Sequence, residues 1–91
     1  MNILNKRVLI TGASFIGHHL IQSLIGKKVK SIRVVNLTNR HKERVLSLSK
    51  DIEFHAKDLR NIDHATQSLK NIDVVFHLAA DHGGRGYVAL R

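Results

Sequence analysis

Val8 to Leu20 reads VLITGASFIGHHL. A short apolar run rich in β-branched side chains meets Gly12, and behind Ser14 the apolar positions change from consecutive to a three- and four-residue spacing. That change marks a strand passing through a tight turn into a helix. The strand, Arg7 to Thr11, lacks polar alternation, as expected of one buried on both faces. The helix carries Ile16, Leu20, Ile21, Leu24 and Ile25 on one side and His18, His19, Gln22 and Ser23 on the other. Gly26, with Lys27 and Lys28, supplies the expected stop.

The alternation continues outward from this unit. SIRVVN, Ser31 to Asn36, reads as a second strand with the polar loop LTNR behind it. HKERVLSLS offers only Val45, Leu46 and Leu48 as an apolar face and predicts a short helix. Asp51 to His55 alternates at Ile52 and Phe54, giving a third strand. Ile62, Ala65 and Leu69 form a third helical face after the capping residue Asn61, and Asn71 would end that helix. DVVFHLAA, Asp73 to Ala80, is a continuous apolar run of strand length, followed by the glycine-rich DHGGRG, and Tyr87 to Arg91 is expected to begin another helix. Strands alternating with helices predict an α/β fold: a partial Rossmann-type parallel sheet of about four strands with crossover helices, in one domain over residues 1–91.

Composition narrows the function classes. A hydrophobic fraction of 43% with 24% charged residues describes a folded globular chain. The sequence has no run of the ~20 apolar residues that span a bilayer, and its first residues do not resemble a secretory leader, so a cytoplasmic protein without a membrane partner is the expectation. Zero cysteines exclude disulfide and thiolate chemistry. The formal charge of +8 favours anionic ligands. In sequence, however, the bases are scattered, with Lys27, Lys28 and Lys30 in one group and Arg40, Lys42 and Arg44 in another. Three Phe and one Tyr give little for bases to stack on, so nucleic acid is not the expected partner.

In a parallel sheet of this kind ligands bind outside the carboxyl ends of the strands, which directs attention to the loop after the first strand. There the free N–H groups and the dipole of the following helix favour a phosphate. As G-x-G-x-x-G, the stretch Gly12-Ala13-Ser14-Phe15-Ile16-Gly17 has the right length, with Ser14 at the middle glycine position. The alternative is an ordinary strand-to-helix turn that uses Gly12 for its φ and Ser14 as the helix cap.

These residues resemble the start of the extended short-chain dehydrogenase/reductase superfamily, specifically its NAD-dependent epimerase/dehydratase group of nucleotide-sugar enzymes, where T-G-x-x-G-F-I-G is usual. KDLRN, Lys57 to Asn61, is similar to that family's adenine-contacting segment, and VVFHLAA, Val74 to Ala80, to its fourth strand. DHGGRGY is similar to the turn that follows in some sugar-nucleotide epimerases. The resemblance implies a dinucleotide cofactor, NAD or NADP with NAD favoured. It puts Gly12, Ser14, Phe15, Ile16 and Gly17 at the pyrophosphate, Asp58 and Leu59 near the adenine, and Leu78, Ala79 and Ala80 near the nicotinamide-side ribose.

Two positions depart from the family pattern. Against T-G-x-x-G-F-I-G the loop is one residue short, as if the middle glycine were deleted. The second strand ends in Asn36 where an acid usually takes the ribose hydroxyls. Asn36 hydrogen-bonds a ribose without repelling a 2′-phosphate, and Arg40 is near enough in sequence to pair with one, so NADP stays open beside NAD. For Arg40, Lys42 and Arg44 a solvated helix face is the competing reading.

The family's catalytic Tyr-x-x-x-Lys is absent. Tyr87 and Arg91 share its spacing but directly follow the fourth strand, and arginine does not substitute for lysine as an acid/base group. His18 and His19 are adjacent and diverge on a helix, and His77 lies within a strand, so no metal site is expected. GAS is not a nucleophile elbow, which would need glycine at Ile16. The expectation is the N-terminal, truncated part of a nucleotide-sugar epimerase/dehydratase, binding NAD(H) or NADP(H) weakly and inactive alone. Its open fourth-strand edge would suit a homodimer or a complementing chain, as in half of a split enzyme. The other class is a small basic Rossmann-like module for RNA or another polyanion, with its bases around the sheet's carboxyl edge.

Overall fold

The order of elements follows the strand–helix alternation of the sequence. A computed structural model describes residues 2–12 and 15–78, apart from the side chains of Phe15 and Ile16. Strand β1 is Arg7–Thr11, helix α1 Phe15–Gly26, β2 Ser31–Asn36, α2 Lys42–Leu46, β3 Ile52–Ala56, α3 Ile62–Ser68 and β4 Val74–His77. All pairings are parallel, in the order β3-β2-β1-β4. The expected α/β architecture with four strands is therefore present. β1 lies at the centre because the chain builds outward through β2 and β3, then crosses back to place β4 on its other side. That reversal makes the β1/β4 boundary the switch point, where a crevice opens beyond the carboxyl ends of the strands.

Alternation along each strand separates two unequal faces. Val8 and Ile10 of β1, Ile32 and Val34 of β2, Ile52 of β3 and Val74 of β4 share a core with Ile21 and Leu24 of α1 and Val45 of α2. On the opposite face the buried apolar residues are Leu9, Val35 and Val75, joined by half-buried Leu59 and Ile72. The second face is smaller because the intervening positions on β2 and β3 are Arg33, Glu53 and His55. β1 is buried on both faces as expected, whereas in β4 only Val74 and Val75 are, and Phe76 and His77 are half-buried.

Arg33 supplies the second face with a polar clamp. Its Nη1 donates to the carbonyls of Ser68 and Lys70 at 2.8 and 2.9 Å, and its Nε donates to Glu53 at 3.2 Å. The guanidinium thereby satisfies carbonyls that the end of α3 leaves without intrahelical donors. Asn61 caps the other end, its side chain accepting from the N–H groups of Asp63 and His64.

Three local expectations are corrected. Of the Ile62–Ala65–Leu69 stripe only Ala65 faces inward: Ile62 is 79% exposed and Leu69 49%. Buried Ser68 joins Ala65 on the inward side, where Arg33 holds the carbonyl end of the helix and small side chains permit a close approach. On α1, Ile25 is exposed while His18 is half-buried with its Nδ1 enclosed. Gly26 ends α1 where the sequence expects the stop, and the left-handed turn behind it falls on Lys28, at φ 58°. Finally, β3 is shifted one residue, to Ile52–Ala56, because Ile52 pairs with Ile32 and Ala56 with Asn36. Asn71, at φ 60°, makes the expected turn after α3.

Candidate functional site

Thr11 and His77 face each other across the switch point. Register pairs them at the ends of β1 and β4, and Thr11 Oγ1 lies 2.6 Å from His77 Nδ1. Thr11 is 3% exposed. The N–H of Leu78 donates to the Thr11 carbonyl at 2.9 Å, and that of Gly12 donates to the Val35 carbonyl at 2.9 Å. Three strand ends are thus joined by backbone bonds just where the chain turns towards α1.

Both outer glycines are required by this turn. Gly12 adopts φ 94°, in the region that disfavours an L side chain. A Cβ at Gly17 would lie 2.9 Å from the Gly12 carbonyl oxygen and 3.8 Å from Leu78 Cδ1. The first turn of α1 therefore packs directly against the loop, the strand-to-helix contact for which this glycine is needed. Gly12, Gly17 and Leu78, named separately from the sequence, are brought together. Phe15 and Ile16 begin α1, which has no acid in its first turn to oppose an anion. Ser14, Ala79 and Ala80, along with the DHGGRG turn and Tyr87 to Arg91, lie outside the described residues.

The remaining candidates line the same edge farther from the switch point. Asn36 ends β2, and its carbonyl accepts from the Lys57 N–H at 2.8 Å, which sets Asp58 beside it. Asp58 accepts from the Arg60 backbone N–H at 2.9 Å and holds the Arg60 guanidinium through both carboxylate oxygens. These Arg60 bonds lower the Asp58 pKa to about 2. Leu59 is half-buried against the smaller core. Arg40 lies in the exposed loop after β2, its N–H directed to Thr38 Oγ1 at 3.3 Å.

Sequence reading missed Thr11 and His77 as a pair, and Arg60 as the partner that fixes Asp58. The first depends on the register of strands 66 residues apart. The second had a local signal, since an Asp two residues before a backbone N–H is a common turn-former. Among the described residues, no group of three His, Asp or Glu side chains could hold a metal ion. No described helix is long and apolar enough to cross a membrane.

Comparison with known proteins agrees with this geometry. GDP-mannose 3,5-epimerase 1 of Oryza sativa subsp. indica is 36% identical over 86 residues, covering 90% of this chain and 21% of the rice protein. Pen from Bacillus thuringiensis superposes with a TM-score of 0.80 at 29% identity, over 90% of this chain and 28% of its own. The Bordetella bronchiseptica enzyme WbmF, solved in complex with NAD+ and UDP, gives a TM-score of 0.73 at 31% identity, over 89% and 24% of the two chains. The chain thus spans about a fifth of the length of the curated relatives it matches. The profile of one family matches residues 8–89, from the second residue of β1 to beyond β4, and by that match the chain belongs to the NAD-dependent epimerase/dehydratase family.

Proposed function

We propose that the carboxyl edge of the sheet binds a nicotinamide dinucleotide, as the N-terminal cofactor-binding portion of a nucleotide-sugar epimerase/dehydratase-like protein. The observation that carries this reading is the Gly17–Gly12 approach at the β1/β4 switch point, which aims the free N–H groups of a 12-residue helix at the place where a pyrophosphate would lie. Residues 12–17 border the phosphates. Asp58 and Leu59 lie towards the adenine, Leu78 to Ala80 towards the nicotinamide-side ribose, and Asn36 with Arg40 towards the adenine-side ribose. The cofactor, once bound, supplies hydride acceptance and donation. The residues in this chain orient it, and none of them serves as the acid/base group, so the chain alone has no turnover.

The reading gains support from WbmF, a relative solved with NAD+ and with NADH. NAD is the favoured cofactor, and Asn36 admits NADP. The test is a thermal titration of the chain with each cofactor, since a ligand that binds only the folded state raises the melting temperature. An upward shift with NAD(H) or NADP(H) is expected, reduced in Gly17→Ala relative to the variant's own baseline. No shift with any of them at millimolar concentration would overturn it.

A second proposal follows from the outer edge of β4, which among the described strands pairs only with β1. An exposed strand edge offers unpaired N–H and C=O groups on which another chain can pair. A second copy or a complementing chain adding a strand there would extend the sheet. Sedimentation at increasing concentration should then reveal a dimer, or a complex when the rest of a related enzyme is supplied, and a monomer in both cases would dismiss the idea.

A further inference from the structure

The lysines that look scattered in sequence collect at one end of the fold. All strands of a parallel sheet begin on one side, and the segment leading into each carries lysine: Lys6 before β1, Lys27, Lys28 and Lys30 before β2, Lys50 before β3 and Lys70 before β4. Backbone bonds bring several of these segments together. The Lys6 carbonyl accepts from Lys30 at 2.8 Å, and the Lys28 carbonyl accepts from Asn5 at 3.1 Å. None of the six is in a salt bridge among the described residues, whereas the nearby Arg7 is paired with Asp73.

With Arg7, this amino edge holds seven bases against two acids, Asp51 and Asp73, a balance of +5. The other described residues hold six bases and four acids, a balance of +2. Neighbouring strands stand about 4.8 Å apart, so the four strand starts extend over roughly 15 Å. A line of positive charge of that length matches several consecutive phosphates, and the topology of the sheet produces it.

We infer that the amino edge of the sheet binds a nucleic-acid phosphodiester backbone without regard to base sequence. Lysine ammonium groups attract phosphate as point charges and lack the planar fork that reads guanine. Of the described aromatic side chains, Phe54 and Phe76 pack against the larger core, so the edge offers no stacking platform. An anionic membrane fits less well, because a face that inserts needs a contiguous apolar stripe. Here the exposed large apolar side chains are Leu4, Ile25 and Leu69, which lie on three separate segments, before β1, in α1 and after α3, and Ile25 borders a cavity of about 180 Å³ lined also by Val29, Ile32, Lys30 and Asp51. Five-residue strands separate this edge from the Gly12 loop by roughly 15 Å, so both ligands can bind at once.

Anisotropy of a fluorescein-labelled oligothymidylate between 50 and 200 mM KCl tests the inference. Five phosphate contacts to a single strand predict a log–log salt slope of roughly −3.5, a loss of roughly a hundredfold in affinity over that range. Lys30→Gln with Lys50→Gln should flatten the slope by roughly 1.4. Lys42→Gln with Lys57→Gln, removing the same charge elsewhere, should leave it unchanged, and saturating NAD+ should not displace the oligonucleotide. Equal losses in both double variants, displacement by NAD+, or binding to phosphatidylserine vesicles but not to the oligonucleotide would each overturn it.

Discussion

Thr11 Oγ1 and His77 Nδ1, 2.6 Å apart, join the ends of the two strands between which the sheet reverses direction. The pair lies one residue before Gly12 and one before Leu78, so it holds both sides of the crevice at a fixed separation. Thr11→Val keeps the shape of this buried side chain and removes the hydroxyl. The expected cost is about 1 kcal/mol in urea unfolding, with Thr11→Ser close to the parent protein. Dinucleotide affinity should fall in Thr11→Val and recover in Thr11→Ser.

Gly17 separates a packing role from a general intolerance of side chains on α1. Its added Cβ would meet backbone, the Gly12 carbonyl at 2.9 Å, which cannot swing aside as a flexible side chain could. Gly17→Ala should destabilise the fold by about 1–3 kcal/mol and weaken cofactor binding, because helix and loop must part. Thermal unfolding with and without NAD+ checks both effects.

The end of the same helix should respond in the opposite direction. Gly26 is helical with open space around its Cβ position, whereas Lys28 occupies φ 58°. Gly26→Ala should stabilise by about 0.5–1 kcal/mol through helix propensity. Lys28→Gly relieves a left-handed conformation that costs roughly 1 kcal/mol. Calorimetry should find each melting temperature raised, and the double variant higher than either.

These positions also indicate how far the sequence could be read. The β1–α1 unit was legible because Val8 to Leu20 changes period at a glycine, and the α/β fold followed from its repetition along the chain. The inward face of α3 was not, since apolar spacing pointed to Ile62 and Leu69 while a clamp from Arg33, 35 residues earlier, turned Ser68 inward. At the site, Gly12 and Gly17 could be found from local pattern, because both are needed for backbone geometry within one turn. The Thr11–His77 link and the gathering of lysines on one edge depend on strand order and register, which no single segment encodes.

Acid should loosen the fold through two arginine-held carboxylates. Hydrogen bonds from Arg7 lower the Asp73 pKa to about 2, as those from Arg60 do for Asp58. Unfolded, each returns to an ordinary value near 3.8. The folded state therefore binds fewer protons, and the stability from each pair is complete above about pH 4 and is lost as pH falls towards 2. Asp73→Asn should lower the melting temperature at pH 6 and flatten its decline between pH 4 and 2. An unchanged decline would place the acid sensitivity elsewhere.

Cofactor choice should depend on Asn36 and Arg40, at the end of β2 and in the loop behind it. The Asn36 backbone is held by Lys57, so substitution there changes charge without moving the strand. Asn36→Asp adds a carboxylate that accepts from ribose hydroxyls and repels a 2′-phosphate, so it should enlarge the thermal shift with NAD+ and reduce that with NADP+. Arg40→Gln removes a cation that can pair with the 2′-phosphate, and should reduce the NADP+ shift while leaving the NAD+ shift intact. The two substitutions thus act on opposite sides of one preference, and combining them should give the strongest discrimination for NAD+. If Arg40→Gln lowers both shifts equally, Arg40 acts through the overall positive field, and the preference must come from Asn36 alone.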